Sequence, residues 1–488
     1  MRILLDAQSS TPLYKQIQHY LQEQIGSGGL EAETRLPASR DLAASLGVSR
    51  LTVSNAYDEL ESLGFIYKVR GKGAFVAAIA RAAEGLACAN LPGDWPAWQN
   101  ELDTQAWTSA SLRLDQLIEA AEGPGVISFA QGGGDSSLFP LADFRAALQM
   151  VLRNSGKQAL GYGDTAGYMP LRATIAQILT GQGIPARPEQ ILITSGSQQA
   201  LDLTTRLLLR PGDVVLSESP THMGFLDLCR SLNVRLVEIP VDDQGMLVDQ
   251  AAEALERVRP RLIYSVPNFQ NPTGACMSAA RRRQLVALAE AHQIPLLEDD
   301  FVGDLRYRGA AQPALKAFDR SGTVIYAGTF SKMLIPSLRV GYLVSSGPVG
   351  ERLMALKHTT DLATSNLTQR ALDEYITVGR YQACLRQARR IFGRRREAML
   401  AALGRYMPAG TRWRNPQGGM FIWLELPGGM LADELFPRAA QAGVLFAPGS
   451  YFYPSGAPCP FFRLNFARQP LEAIEEGVRR LGGVLRAG

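Results

Sequence analysis

Between residues 191 and 345 six short apolar runs recur, ILIT, VVLSE, RLIYSVP, PLLEDD, TVIYAGTF and GYLVS, alternating with helical stretches. Runs of this length are strands, and their alternation with helices builds βαβ units around a mostly parallel sheet. Residues 116–488 are therefore expected to form one large α/β domain. Ligands of such sheets lie beyond the carboxyl ends of the strands. The residues that directly follow these runs are where binding and chemistry are expected.

The most informative of these ends is residues 326–342, YAGTFSKMLIPSLRVGY. It carries one lysine, Lys332, with Thr329 and Ser331 before it and Arg339 seven residues after it. A lone lysine after a strand is usually a solvated surface residue. A buried one, with hydroxyls on one side and an arginine on the other, suits a Schiff base to an aldehyde beside an anionic phosphate. Desolvation depresses the ammonium pKa and frees a nucleophile.

Other strand ends supply partners. ILITSGSQQALDL passes from a strand through Ser195 and Gly196 into a helix opening at Ser197 and Gln198, whose free N–H groups can cradle a phosphate. SVPNFQNPTG places Asn271 where its amide can reach a cofactor's ring oxygen. IPLLEDDF ends a strand in Asp299 and Asp300. A carboxylate opposite a pyridine nitrogen keeps that nitrogen protonated and makes the ring an electron sink. SPTHMGF offers His222 as a planar side chain to stack on a ring. Near the C-terminus FFRLNFA holds Arg463 between apolar residues, where a bidentate carboxylate ligand offsets its burial. Taken singly, each has a plainer meaning: a helix cap, a solvated acidic end, a structural histidine.

Residues 1–78 have a different pattern. Thr11-Pro12 reads as a helix start, with a hydroxyl cap and proline at the first helical position. Leu13, Ile17, Leu21 and Ile25 form one apolar stripe that Gly28 and Gly29 end. A second helix is expected from Ser39 to Leu46, stopped by Gly47. Ser49 then caps a third, whose Val53, Ala56, Tyr57, Leu60 and Leu63 face inward. Two helices joined by a tight glycine turn make a helix-turn-helix, and FIYKVRGKGAFV adds a strand–turn–strand wing. The first turn of the second helix of such a motif points at base edges, so Ser49, Arg50 and Thr52 are the candidates for reading DNA. Arg40, Lys68, Arg70 and Lys72 would neutralise phosphates. Charge alone does not decide it, because residues 1–78 hold eight Lys/Arg and eight Asp/Glu. Placement of the basic residues in the turn, helix and wing favours DNA over a protein-interaction module.

Residues 79–115, rich in alanine, proline and glycine, read as a linker, with Trp95, Trp98 and Trp107 arguing against a freely flexible coil. At 488 residues two or more domains are expected. The five cysteines are scattered without a CxxC pair, so neither a metal site nor a disulfide framework is expected, and a reducing cytoplasm fits. No secretory signal is read at the N-terminus, and no apolar run approaches the ~20 residues that span a bilayer.

PLYKQIQHYLQEQI, TRLPASRDLAASLGVSRLTVSNAYDELESLGFI and GKGAFV closely resemble the GntR family of winged-helix repressors, across the whole of the N-terminal module. That resemblance implies dimeric binding to two half-sites of an operator. NPTG, together with SK and an arginine seven residues later, resembles the fold-type I aminotransferases that use pyridoxal 5'-phosphate, over residues 116–470. The resemblance implies that Lys332 holds the cofactor and that Asp299 pairs with the pyridine nitrogen, Asp300 being the lesser candidate. Asn271 would bond the ring oxygen and His222 would stack on the ring. Gly196, Ser197, Thr329, Ser331 and Arg339 would bind the phosphate, and Arg463 the substrate carboxylate. Tyr162, in LGYGDTAGYMPLR, matches a position that reaches the phosphate of the neighbouring subunit, which implies a domain-swapped homodimer. Two departures stand out. Family members often carry a tyrosine two or three residues after the aspartate, where Phe301 follows here, and the stacking position, frequently Tyr or Phe, is His222.

A GntR-type module, a linker and an aminotransferase-like domain is the layout of the MocR regulators. It implies a cytoplasmic bacterial transcription factor whose large domain binds pyridoxal phosphate and senses an amine or amino acid that displaces Lys332. A working aminotransferase with an accessory DNA-binding module, or a sensor of the cofactor itself, are the alternatives.

Overall fold

The computed structural model describes residues 3, 5–6, 9, 11–69, 71–77, 109–332 and 334–487. The chain divides into two compact units, Met1–Ala106 and Trp107–Gly488. Arg70, Trp95, Trp98 and Trp107 lie outside the described residues.

In the first unit the helices Leu13–Gly26, Ser39–Leu46 and Arg50–Ser62 are followed by the antiparallel strands Ile66–Val69 and Gly73–Val76. Ile17, Leu21 and Ile25 from the first helix meet Leu42 of the second and Val53, Ala56, Tyr57 and Leu60 of the third in one core. Gly47 takes the left-handed conformation (φ 67°) that ends the second helix. Ser49 Oγ accepts from Thr52 N at 3.1 Å and starts the third. Two expectations fail. Pro12 itself takes the N-cap place, with no side-chain cap, so the Thr11 hydroxyl has no capping role. Leu63 is 54% exposed, because the third helix ends at Ser62 and the chain turns toward the wing.

The second unit begins with a helix, Ala110–Ala121, so the linker boundary expected at 115 falls inside a helical element. Its start is held from within the unit by buried Asp227. That carboxylate accepts from Ser109 Oγ (2.7 Å), Ala110 N (2.7 Å), Ser111 N (3.1 Å) and Ser111 Oγ (2.6 Å).

The six runs are all strands. With two more they form the central sheet: β1 Ile191–Thr194, β2 Val214–Ser219, β3 Arg235–Asp242, β4 Gly245–Met246, β5 Leu262–Ser265, β6 Leu296–Asp300, β7 Val324–Thr329 and β8 Gly341–Val344. The order across the sheet is β1-β8-β7-β6-β5-β2-β3-β4. The pairs β7–β6, β6–β5, β5–β2 and β2–β3 are parallel, while β8 runs antiparallel to both neighbours and β4 to β3. The sheet is thus mostly parallel. The carboxyl ends of β1, β2, β5, β6 and β7 and the amino end of β8 lie along one edge. A smaller antiparallel sheet joins Phe421–Glu425 to Phe461–Asn465, with Arg412–Trp413 and Ala447–Pro448 at its sides. Among the described residues no helix is long and apolar enough to cross a membrane.

Candidate functional site

Because of that topology, loops that are far apart in sequence converge on one edge of the central sheet. A cavity of about 240 Å³ opens there, lined by Ser197, Gln198, His222, Asn271, Asp299, Ser331, Lys332, Arg339 and Arg463. Apolar walls come from Met223, Val266, Phe301, Pro336 and Phe421. Nine of the residues expected from sequence are therefore brought together.

Lys332 follows β7 and is partly buried. Its Nζ donates to the backbone oxygen of Gly132 at 3.2 Å. Burial, with the positive charges of Arg463 and Arg339, brings its pKa down from 10.5 to about 8, against the pull of Asp299. Asp299, on β6, is 3% exposed, and burial raises its pKa to about 7. Its Oδ2 accepts from Tyr264 Oη at 2.8 Å, and its Oδ1 is buried without a partner. Alternation along the strand sends Asp300 elsewhere: it accepts from Tyr326 Oη (2.9 Å) and Gly303 N (2.9 Å). Asp299 is thus the carboxylate of the cavity.

Arg463, on the smaller sheet, is 1% exposed and donates to Asn271 Oδ1 (2.8 Å) and Ala130 O (2.6 Å). Its guanidinium lies over the rings of Phe421 (4.2 Å) and Phe452 (4.8 Å), and burial lowers its pKa to about 9. Asn271 Nδ2 lies 3.2 Å from His222 Nδ1. Burial, then the charges of Lys332 and Arg463, lowers the His222 pKa to about 4, so its ring is neutral at pH 7. With Asn271 donating to Nδ1, the His222 proton sits on Nε2.

At the end of β1, Gly196 has φ 89° and ψ 171°, a region open almost only to glycine, and precedes the helix Ser197–Leu208. A Cβ on Gly196 would lie 2.5 Å from Arg339 Nη2, and one on Gly341 would lie 2.6 Å from the Gly196 carbonyl carbon. Bare backbone, a helix N-terminus and a guanidinium are thus packed together, which is the setting an anion requires. Ser331 Oγ, buried without a partner, faces the same place. A Gly196→Ala variant is expected to lose a charged hydrogen bond's worth of phosphate affinity as Arg339 is displaced, ~1.5–3 kcal/mol, or roughly 10- to 150-fold in Kd. Equilibrium dialysis against pyridoxal phosphate reads it, and unchanged retention would remove Gly196 and Arg339 from the cradle.

One expected residue is placed differently, and one, Tyr162, belongs by expectation to the neighbouring subunit's site. Thr329 does not line the cavity: its Oγ1 accepts from Ser331 N (3.1 Å) and donates to Val340 O (3.3 Å), closing the turn that carries Ser331 and Lys332. Tyr162 is 93% exposed and apart from the cavity of its own chain. Phe301 lines the cavity and Val302 is fully buried, so neither offers the hydroxyl that a tyrosine would. Tyr264 and Gly132, which contact Asp299 and Lys332, were not singled out from sequence. Tyr264 lies mid-run in β5, where it reads as a core aromatic, and Gly132 contributes only its backbone oxygen.

Among the described residues, three of the eight buried side-chain polar atoms without a partner, Asp299 Oδ1, Ser331 Oγ and Arg463 Nε, belong to this one cavity. They are an acceptor, a hydroxyl and a cationic donor. This set fits the pyridine N–H, the phosphate and the substrate carboxylate of pyridoxal chemistry.

In the N-terminal unit Arg40, Ser49 and Arg50 are exposed, as is Lys72 in the wing. Thr52 is half-buried and bonded to Ser49 (Oγ1 to Oγ, 2.8 Å). Lys68, expected to face phosphates, is instead paired with Asp58 and, at 2.7 Å, with Glu61. The wing strand runs beside the end of the third helix, whose acidic residues reach it first.

Comparison with known proteins accords with both units. The family of bacterial regulatory proteins, gntR family, matches residues 13–76. Aminotransferase class I and II matches residues 126–481. The 2-aminoadipate transaminase of Thermus thermophilus is 37% identical over 392 residues, covering 80% of this chain and 97% of that protein. The probable rhizopine catabolism regulatory protein MocR of Rhizobium meliloti is 31% identical over 481 residues, covering 98% of this chain and 95% of that one. The crystal structure of LysN, an alpha-aminoadipate aminotransferase from T. thermophilus complexed with N-(5'-phosphopyridoxyl)-L-leucine, superposes with a TM-score of 0.72 at 37% identity over 79% of this chain and 98% of that chain. The chain belongs to the MocR-type regulators, in which a GntR-family winged helix-turn-helix is joined to an aminotransferase class I and II domain.

Proposed function

We propose that this protein is a DNA-binding transcriptional regulator whose large unit holds pyridoxal 5'-phosphate on Lys332 and senses an amine or amino acid there. The observation that carries the reading is the single cavity in which a lysine of depressed pKa, an unpartnered carboxylate oxygen and an anion cradle meet. Pyridoxal phosphate, when bound, supplies an aldehyde that combines reversibly with primary amines. The residues of this chain do the rest. Lys332 Nζ would be the nucleophile toward that aldehyde and, when not engaged by it, a base within the same cavity. Asp299, at the far wall, offers its unpartnered Oδ1 to accept from a pyridine N–H. Neutral His222 offers a flat face without adding positive charge to a site that already contains Lys332, Arg339 and Arg463. Arg463 holds a carboxylate and so favours amino acids over plain amines.

His222 stands at the N-cap position of the nine-residue helix Met223–Ser231, and Asp227 of that helix grips Ser109–Ser111, where the described chain resumes after the linker. A change at the ring-stacking residue is therefore one short helix from the point where the linker is attached. A ligand shifts the arrangement of the DNA modules only by its differential affinity for the two states. Exposed Tyr162, with Leu160 (69%) and Leu141 (75%) also exposed, supports a homodimer in which Tyr162 completes the partner's phosphate site.

The test is to titrate the protein with a panel of amines and amino acids while following the cofactor's absorption and operator binding together. An effector that changes both supports the reading, and operator binding indifferent to every amine while responding to pyridoxal phosphate alone would make the cofactor itself the signal. A second reading, catalytic turnover, is favoured by the similarity to transaminases. Multiple turnovers at roughly 1–1,000 per second would establish it, against the expectation from Phe301. On the DNA side, Arg50→Ala is expected to cost ~1–3 kcal/mol at one base position. A binding-site selection experiment reads this, and uniform weakening across sequences would make Arg50 a phosphate contact.

A further inference from the structure

The longest described helix, Arg380–Tyr406, has 27 residues. It holds eight arginines and one acidic residue, a balance of +7 in a chain whose net charge is +4. Five of the arginines have partners in the fold. Arg380 pairs with Asp143 (3.5 Å), Arg389 donates to Asp304 O (2.7 Å), Arg395 pairs with Asp135 (2.6 Å), Arg396 with Glu397 (2.5 Å) and Arg405 with Glu475 (2.7 Å). The remaining three, Arg386, Arg390 and Arg394, are exposed, and no hydrogen bond or ion pair holds them among the described residues.

Their spacing of four puts them in one row along the helix, about 6 Å apart and spanning about 12 Å. Neighbours on that side, Gln382 and Gln387, are uncharged, and the one acid of the helix, Glu397, is shared by Arg396 and Arg308. Like charges at this spacing destabilise a helix by ~0.2–0.5 kcal/mol per pair, and among the described residues no ion pair offsets that. An external polyanion does. Duplex DNA presents one charge per ~1.7 Å of axis, so a 12 Å row faces several phosphates, and guanidinium groups bind phosphate bidentately. The chain already carries a DNA-binding module, so duplex DNA is the polyanion that its regulatory role brings to it.

We propose that Arg386, Arg390 and Arg394 form a docking surface on the aminotransferase-like unit for the phosphate backbone of duplex DNA. This goes beyond the reading above, in which DNA contacts belong to the winged helix alone. The full-length protein, R386Q/R390Q/R394Q and R386K/R390K/R394K are titrated with a labelled duplex of arbitrary sequence, about 40 base pairs long, over roughly 50 to 300 mM KCl. Each phosphate contact contributes ~0.9 to the slope of log K against log salt. The glutamine variant is expected to lose about 2–3 units of slope, and the lysine variant, which keeps the charge, to retain them. The same loss on an Arg50→Ala background separates this surface from the winged helix. A glutamine variant with wild-type slope and affinity would overturn the proposal, as would equal loss in the glutamine and lysine variants, which would be structural damage. Loss of binding to phosphatidylserine vesicles with an unchanged DNA slope would overturn it in favour of a membrane surface.

Discussion

A Lys332→Ala variant is expected to fold, to bind DNA, and to show none of the absorption of a lysine-bound cofactor. Nothing else in the cavity can replace it, since Arg339 and Arg463 carry guanidinium groups, whose delocalised nitrogens are not amine nucleophiles. The pH dependence of the parent protein sharpens the test. A free lysine with a pKa of 10.5 is almost entirely protonated at pH 8, whereas Lys332, at about 8, is half neutral there. The rate of cofactor attachment should rise through a midpoint near pH 8. The cause is first burial and then the charges of Arg463 and Arg339, so Arg339→Gln should move the midpoint upward. The sign for stability follows from the same shift. The folded pKa lies below the unfolded one, so below about pH 8 the amine is protonated in both states and its burial cost is borne in full. That cost is relieved as pH rises from about 8 to 10.5. A cofactor-free protein that gains no stability over this window, or attachment with a midpoint near 10.5, would place the lysine in solvent.

Arg463→Met carries the second large effect. The flexible thioether keeps apolar contact with Phe421 and Phe452, while the two hydrogen-bond partners, Asn271 Oδ1 and Ala130 O, lose their donor. Removing one side of a buried, hydrogen-bonded ion pair costs 2–5 kcal/mol, so amino acids are expected to act on the variant roughly 30- to 4,000-fold more weakly. Plain amines, which present no carboxylate, should be unaffected within a few fold. Parallel titrations read the split. Equal weakening for both ligand classes would mean that Arg463 supports the site without touching the ligand.

Much of the site is legible in the sequence because the sheet dictates it. A strand that ends in SGS, EDD or GTFSK must deliver those residues to the same edge as its parallel neighbours. What the sequence leaves open is adjacency. Asp299 and Asp300 are equivalent in one dimension, and only the sheet's orientation decides which of them faces the cavity. Tyr264 touches Asp299 because β5 lies beside β6, a pairing absent from the local pattern. Thr329 was legible as a hydroxyl near Lys332, but a hydroxyl two residues before Ser331 N closes a turn more readily than it reaches a ligand. Lys68 shows the same limit in the N-terminal unit: a basic wing residue is visible in sequence, and the acidic helix end beside it is not.

The grip of Asp227 on Ser109, Ala110 and Ser111 bears on ancestry. The first helix of the large unit is capped by its own Ser109, whose Oγ accepts from Leu112 N, and by Asp227, more than a hundred residues downstream within the same unit, which accepts from Ser109 Oγ, Ala110 N and Ser111 N. Among the described residues, every hydrogen bond of that helix start is made to a residue of the same unit. A gene encoding such a unit can gain or lose an upstream module at this point without disturbing the fold it joins, and the joint lies one helix away from the pocket. Fusion at Ser109 would therefore hand a ready-made amine receptor to whatever domain arrived, which makes this boundary a natural seam for recombination.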